Sequence, residues 1–379
     1  MIVKYNISRL DYVLSLFGMT RGELLNKINE GHKNILSEKD VFTPNIDLSL
    51  LRRIDKVFKK GVNFYLDPVN IEKSSVASIF FRKQVFAEKP NFGAREVINR
   101  YEDLKFSLSA ISDMSNVRIE RRLKMFSLKD DPKEVVSIVR PLLYPDFSSR
   151  LRDFLKSLIG RFAEYNVIVF EFIETWNKKD RANIDGLFLN PNIIVLKRTE
   201  HYRREIFTLA HELGHYLINF EEIDSLDDDK IFLDKSKIEK WCNDFAFFFL
   251  AGDLSSTIDA LTKACETNDY HHTEIEYISN KTNLSKLAIF TRLLSLGKIS
   301  RMDYTKVRDD ILESIKRFQD DKKEKYKESD SKGGSAPRPI LSPLFISMLQ
   351  NAFYSGVINE YEFCNTLKIS AKELDRYLL

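Results

Sequence analysis

The sequence predicts an α+β chain, mostly helical, with one small antiparallel sheet flanked by helical modules. Apolar residues recur at helical spacing over most of the 379 residues. Between Asn166 and Leu196 the period changes to short apolar runs bounded by turn residues. A charged, then Gly/Ser/Pro-rich stretch, DDKKEKYKESDSKGGSAPRP, marks a flexible linker before a last compact piece. These signals divide the chain into a helical module at 1–70, a helical connector at 71–160, a central domain at 161–318, a linker at 319–340 and a C-terminal helical module at 341–379.

The first module reads as three helices, around Leu10 to Phe17, Thr20 to Ile28 and Leu48 to Phe58, with T-R-G-E from Thr20 as a capping box. Residues 1–60 hold eleven Lys/Arg against seven Asp/Glu, a local excess that permits DNA contact without demanding it. Residues 94–160 are helical and charged, and Pro132, Pro141 and Pro145 predict breaks. VIVFEFI, then Gly186 to Leu189 and Ile193 to Leu196 joined by Asn190-Pro191-Asn192, predict the strands. Helices resume in REIFTLAHELGHYLINF and SKIEKWCNDFAFFFL. The pair IEYISNKT and SKLAIFTRLLSLG, with Ser285 as N-cap, gives a helix-turn-helix outline at 274–297.

Composition narrows the function classes. With 28 Phe, 15 Tyr and 30 % charged residues the chain is a folded protein. The start, MIVKYNISRLDYVLSLFGM, has charges among its apolar positions and lacks a signal-peptide h-region, so a cytoplasmic location is expected. No run approaches the ~18 apolar residues of a membrane span. Cys242, Cys265 and Cys364 form no CxxC pair and give no disulfide framework. A net charge of +3 is too small to make the whole molecule a nucleic-acid binder.

The chemistry concentrates in His211-Glu212-Leu213-Gly214-His215. Ile206, Phe207, Ala210, Leu213, Leu217 and Ile218 place this HExxH motif on an amphipathic helix, where residues four apart face the same way. His211 and His215 can share a zinc ion (Zn2+), and Glu212 can reach a water beside it without ligating. A chance HExxH occurs in about 1 % of chains this long, and one phased on a helix is rarer. A catalytic zinc needs a third protein ligand. Glu239 is the choice, on the next amphipathic helix, one turn before Asn243 and opposite Phe247, Phe248 and Leu250. Glu221, Glu222 and Asp224 lie in a polar loop and read as solvated charges, and His271-His272 reads as a surface or capping pair.

IDGLFLNPNIIVLKR, FTLAHELGH and E-x-x-C-N-x-F-A from Glu239 together resemble the ImmA/IrrE family of metallopeptidases. Cys242 stands where the family usually has Ala, a small apolar exchange. Upstream, LLRRIDKVFKKGVNFYLDP followed by FFRK resembles the junction to an N-terminal helix-turn-helix of the XRE type, although NEGHKNILSEKDVF occupies the place of the recognition helix. Downstream, NLSKLAIFTRLLSLGKIS and the segment from Ser342 to Leu378 resemble further helical parts of fused members.

The resemblance implies a zincin-like, gluzincin-type domain with His211, His215 and Glu239 as ligands and Glu212 as general base. It also implies a protein substrate, such as a transcription repressor or antitoxin encoded nearby, in mobile-element, stress-response or phage-defence regulation. His201, Tyr202 and Tyr216 are the candidates for a transition-state stabiliser, by proximity in sequence. The strand IIVLKR is expected to offer an edge to an extended peptide. The rival expectations are a DNA-binding regulator with structural zinc and a toxin or defence protease with a broader target.

Overall fold

The computed structural model describes residues 1–71, 78–82, 89–117, 119–174, 179–199, 201–222, 236–328 and 338–378, and the chain separates into two compact units. Unit one comprises Met1–Ser107 with Lys179–Asn183, and unit two Leu108–Lys178 with Ile184–Leu379.

In unit one, β1 (Ile2–Lys4) pairs antiparallel with β2 (Asn45–Asp47), a two-stranded ribbon the periodicity does not announce. Around it lie α1 (Ile7–Leu16), α2 (Arg21–Asn29), α3 (Glu38–Val41), α4 (Leu48–Phe58), α5 (Val62–Leu66), α6 (Ile79–Arg82) and the start of α7 (Phe92–Met114). Helix starts follow local chemistry: Asn6 and Asp47 cap α1 and α4, and Thr20 with Glu23 forms the expected capping box. Leu10, Val13, Leu24, Leu51, Ile54 and Tyr65 close the core. Helix α3 is four residues, one turn, where a recognition helix would need a face long enough to lie in a major groove. The segment Lys179–Asn183 is held by Asn91, whose Nδ2 donates to the Arg181 carbonyl at 2.7 Å and whose N–H donates to Asn183 Oδ1 at 2.9 Å. Lys27 pairs with Asp180, and Lys179 with Glu30.

Unit two holds α8 (Pro132–Leu143), α9 (Leu151–Glu164), β3 (Ile168–Phe172), β4 (Gly186–Leu189), β5 (Ile193–Lys197), α10 (Tyr202–Ile218) and α11 (Lys237–Ala251). There follow α12 (Leu254–Ala260), α13 (His272–Thr282), α14 (Lys286–Ser295), α15 (Arg301–Glu328), α16 (Pro343–Tyr354), α17 (Glu360–Leu367) and α18 (Asp375–Leu378). The sheet order is β3-β5-β4. It is mixed, not antiparallel as expected: the short turn makes β4 and β5 antiparallel, while β3 enters beside β5 and runs parallel to it. The long connection from Phe172 to Gly186 permits that parallel pairing. IIVLK is therefore the central strand, and the expected edge is not there; a continuous apolar run is the mark of a strand covered on both faces.

Pro132 begins α8 at its first position behind the N-cap Asp131, and Pro141 lies inside α8 instead of breaking it. Helix α15 runs to Glu328, well into the expected linker, and the rest of that stretch to Ala336 and Pro337 lies outside the described residues. The α13–α14 pair forms as expected, with Ser285 Oγ accepting from Ala288 N–H at 3.0 Å. Among the described residues no helix is long and apolar enough to cross a membrane.

Candidate metal centre

Helix α10 lies against β4 and β5 on one side and α11 on the other. The approach to α11 is close because Gly214 faces Cys242, where a Cβ would come 3.1 Å from the Cys242 Cα. Arginines cap both helices: Arg121 donates to the Tyr216 and Leu217 carbonyls at the end of α10, and Arg140 Nε to the Phe249 carbonyl of α11 at 2.9 Å.

One turn apart on α10, His211 and His215 bring their Nε2 atoms within 3.1 Å. Glu239 stands in the first turn of α11, its N–H donated to the N-cap Ser236 Oγ at 3.2 Å. Its Oε2 lies 3.2 Å from His211 Nε2 and its Oε1 3.2 Å from His215 Nε2. All three side chains are buried. They form the one group of three or more potential ligands gathered among the described residues.

The far side of each imidazole sets its tautomer. His211 Nδ1 lies 2.9 Å from Asn243 Oδ1, and His215 Nδ1 lies 3.1 Å from the Phe220 carbonyl. Both oxygens only accept, so each Nδ1 carries the proton and each Nε2 turns a lone pair to the centre. Tetrahedral zinc with ~2.0–2.1 Å bonds requires donor separations of about 3.3 Å, close to those present. Two neutral imidazoles and one carboxylate, with a fourth position left open, are the donor set of a catalytic site. The residues fit the ion.

With no ion between them the three groups act on one another electrostatically, and the His215 imidazole is held well above its ordinary value, against the pull of burial, by Cys242 and Glu239. Burial pushes the Glu239 carboxyl up, but the facing imidazoles of His215 and His211 more than reverse this and hold it below the usual carboxylate range. Burial also raises the Cys242 thiol, to about 11, so this side chain is an inert packing group beside His215. Glu212 is buried against β4, where a Cβ on Gly186 would come 2.6 Å from its Oε1.

The other sequence candidates lie elsewhere. Glu221 Oε1 accepts from Asn190 N–H at 2.8 Å, Glu222 is buried but outside the ligand group, and Asp224 falls outside the described residues. His271 bonds Thr262 and Asn268, and His272 packs on Phe290. His201 and Tyr202 open α10, ten and nine residues before His211 and so about 13–15 Å along its axis. Tyr202 packs under the Arg198 guanidinium at 4.2 Å, and Tyr216 is buried between Phe188 and Arg121. The geometry thus joins His211, His215 and Glu239 and does not bring His201, Tyr202 or Tyr216 to them. Sequence reading missed the orienting roles of Asn243 and the Phe220 carbonyl; the position of Asn243 one turn after Glu239 was the available signal.

Residues 166–293 match the family Peptidase_M78, described as the IrrE N-terminal-like domain. No curated protein and no solved structure matches the chain significantly. The matched segment spans the two helices that carry His211, His215 and Glu239 and the sheet beside them, and it supports an ImmA/IrrE-type metallopeptidase domain there.

Proposed function

We propose that the chain is a zinc-dependent endopeptidase acting on a partner protein. The observation that carries this reading is the convergence of three buried groups, His211, His215 and Glu239, with both imidazoles held by a partner at Nδ1 and Glu212 buried on the same helix α10. A zinc ion there would supply Lewis-acid polarisation of the scissile carbonyl and a more acidic water. Glu212 takes the proton of the attacking water and passes it to the leaving amine nitrogen. Asn243 and the Phe220 carbonyl keep both imidazoles in the ligating tautomer through the cycle. Strand β4, against which Glu212 packs, is an outer strand among the described residues, and its outer side would take an extended peptide.

The substrate class follows from the family resemblance: a transcription repressor or antitoxin encoded nearby, cut to release mobile-element, stress or phage-defence genes. A structural zinc in a DNA-binding regulator normally has four protein ligands, and the described residues gather three. The one-turn α3 likewise argues for unit one as a regulatory module over a sequence-reading one.

The test is Glu212→Gln, assayed together for zinc, melting temperature and cleavage of the neighbouring repressor. Zinc content and melting should stay near wild type, while the rate falls by about 10²–10⁴-fold, because an amide cannot accept the proton. An intact biological phenotype in this variant would remove hydrolysis as the function and leave the DNA-binding reading.

A further inference from the structure

Unit one carries a cleft of about 230 Å³ lined by side chains of α2, α4 and the first turns of α7. Lys27, Arg53, Lys56 and Lys59 line it against Glu30 and Glu96, a formal excess of two positive charges, together with His32. Ile28, Val57 and Phe92 add apolar lining. Lys59 is paired with Glu96, and Lys27 is shared between Glu30 and Asp180, but Lys56 makes no ion pair among the described residues. Like charges brought together from two helices repel, and a bound anion would relieve that repulsion. The volume lies just under the ~300–1,000 Å³ of ligand clefts, room for the phosphate and sugar of a mononucleotide.

The same side chains grip a distant part of the sequence. Lys27 holds Asp180, and Glu30 holds Lys179. Phe92 lines the cleft, and its neighbour Gly93 seats the segment so closely that a Cβ would come 2.3 Å from the Asp180 carbonyl oxygen. From Asn183 the chain needs three residues to reach Gly186, whose backbone bounds Glu212.

We propose that this cleft binds a phosphate ester of mononucleotide size, and that its occupancy is read by the Lys179–Asn183 segment. A phosphate drawn in by Lys56, Arg53 and Lys27 competes with Asp180 for the Lys27 ammonium. Filling the cleft therefore loosens the grip on 179–183, the segment that leads into β4.

The experiment titrates the full chain with AMP, adenosine, inorganic phosphate and a short single-stranded oligonucleotide by calorimetry, and follows hydrogen exchange of 179–183. AMP should bind saturably, adenosine should not, and phosphate should bind more weakly than AMP. Lys56→Glu, at an exposed side chain outside the metal centre, should weaken AMP at least tenfold while leaving the melting temperature unchanged. AMP should speed exchange at 179–183 in wild type and not in Lys56→Glu. Equal binding of AMP and adenosine, no saturable AMP signal, or AMP binding untouched by Lys56→Glu would each overturn the proposal. An oligonucleotide that binds more tightly than AMP with a steep salt dependence would replace it with a nucleic-acid contact surface. AMP binding with unaltered exchange would overturn the coupling. None of these readouts uses peptidase activity, so the outcome is separate from the reading of the metal centre.

Discussion

The carboxylate of Glu212 lies so close to Gly186 that a methyl group there would sit 2.6 Å from both its Oε1 and Thr208 Cγ2. Neither the helix nor the strand can yield easily in a packed core, so Gly186→Ala must displace the carboxylate. The expected result is a peptidase rate at least tenfold lower with zinc retained, at a stability cost of about 1–3 kcal/mol, read from turnover, metal content and denaturant melts. Asn243 makes the complementary case. Its Oδ1 accepts the His211 Nδ1 proton at 2.9 Å, and Asn243→Ala should lower zinc affinity about 10–100-fold, as loss of a group that orients a ligand usually does. Competition with a chromophoric chelator measures it, and undiminished affinity would show that helix packing alone aims the imidazole.

At the scale of elements, β3 joins the sheet to the C-terminal helices. Glu171 accepts the Ile340 N–H just before α16, and Phe170 meets Phe345 edge-on at 4.9 Å. Burial pushes the Glu171 carboxyl up to about 7, with the Ile340 N–H opposing and Glu205 adding to the rise. Its unfolded value is near 4.5, so between these limits the folded state holds a proton that the unfolded state has lost. The stability due to the neutral carboxyl is complete below pH 4.5 and is lost as pH rises to about 7. Glu171→Gln should flatten that fall, worth roughly 3 kcal/mol in wild type, in melts run across the window.

The helices themselves were legible because periodicity and caps are local: Thr20 and Ser285 stand where the sequence put them. The gathering of Glu239 with His211 and His215 was legible for the same reason, as a carboxylate on the polar side of an apolar helix. Strand order was not, since pairing β3 with β5 is a long-range event that no local pattern encodes. The contacts of Gly186 and of the Phe220 carbonyl were equally hidden. The charged run at 319–328 satisfied a linker and a helix alike, and in α15 the helix won.

At the scale of the molecule, the described residues gather one core around Leu10, Leu51 and Tyr65 and another around Phe154, Leu213 and Phe245. Separate cores predict separate thermal transitions. The donors His211, His215 and Glu239 all belong to unit two, on two helices that the chain joins only through residues 219–236. A cation bound by all three is therefore a cross-link as well as a reagent, closing that loop in the folded state alone. Chelation should then lower one transition and leave the other in place, by about 4 kcal/mol where free zinc had stood a thousandfold above its dissociation constant. Calorimetry before and after chelator, with readdition of zinc, is the check. A bound ion would in this way tune the stability of unit two, because it would add a cross-link to the packing that already holds α10 against α11 at Gly214 and Cys242.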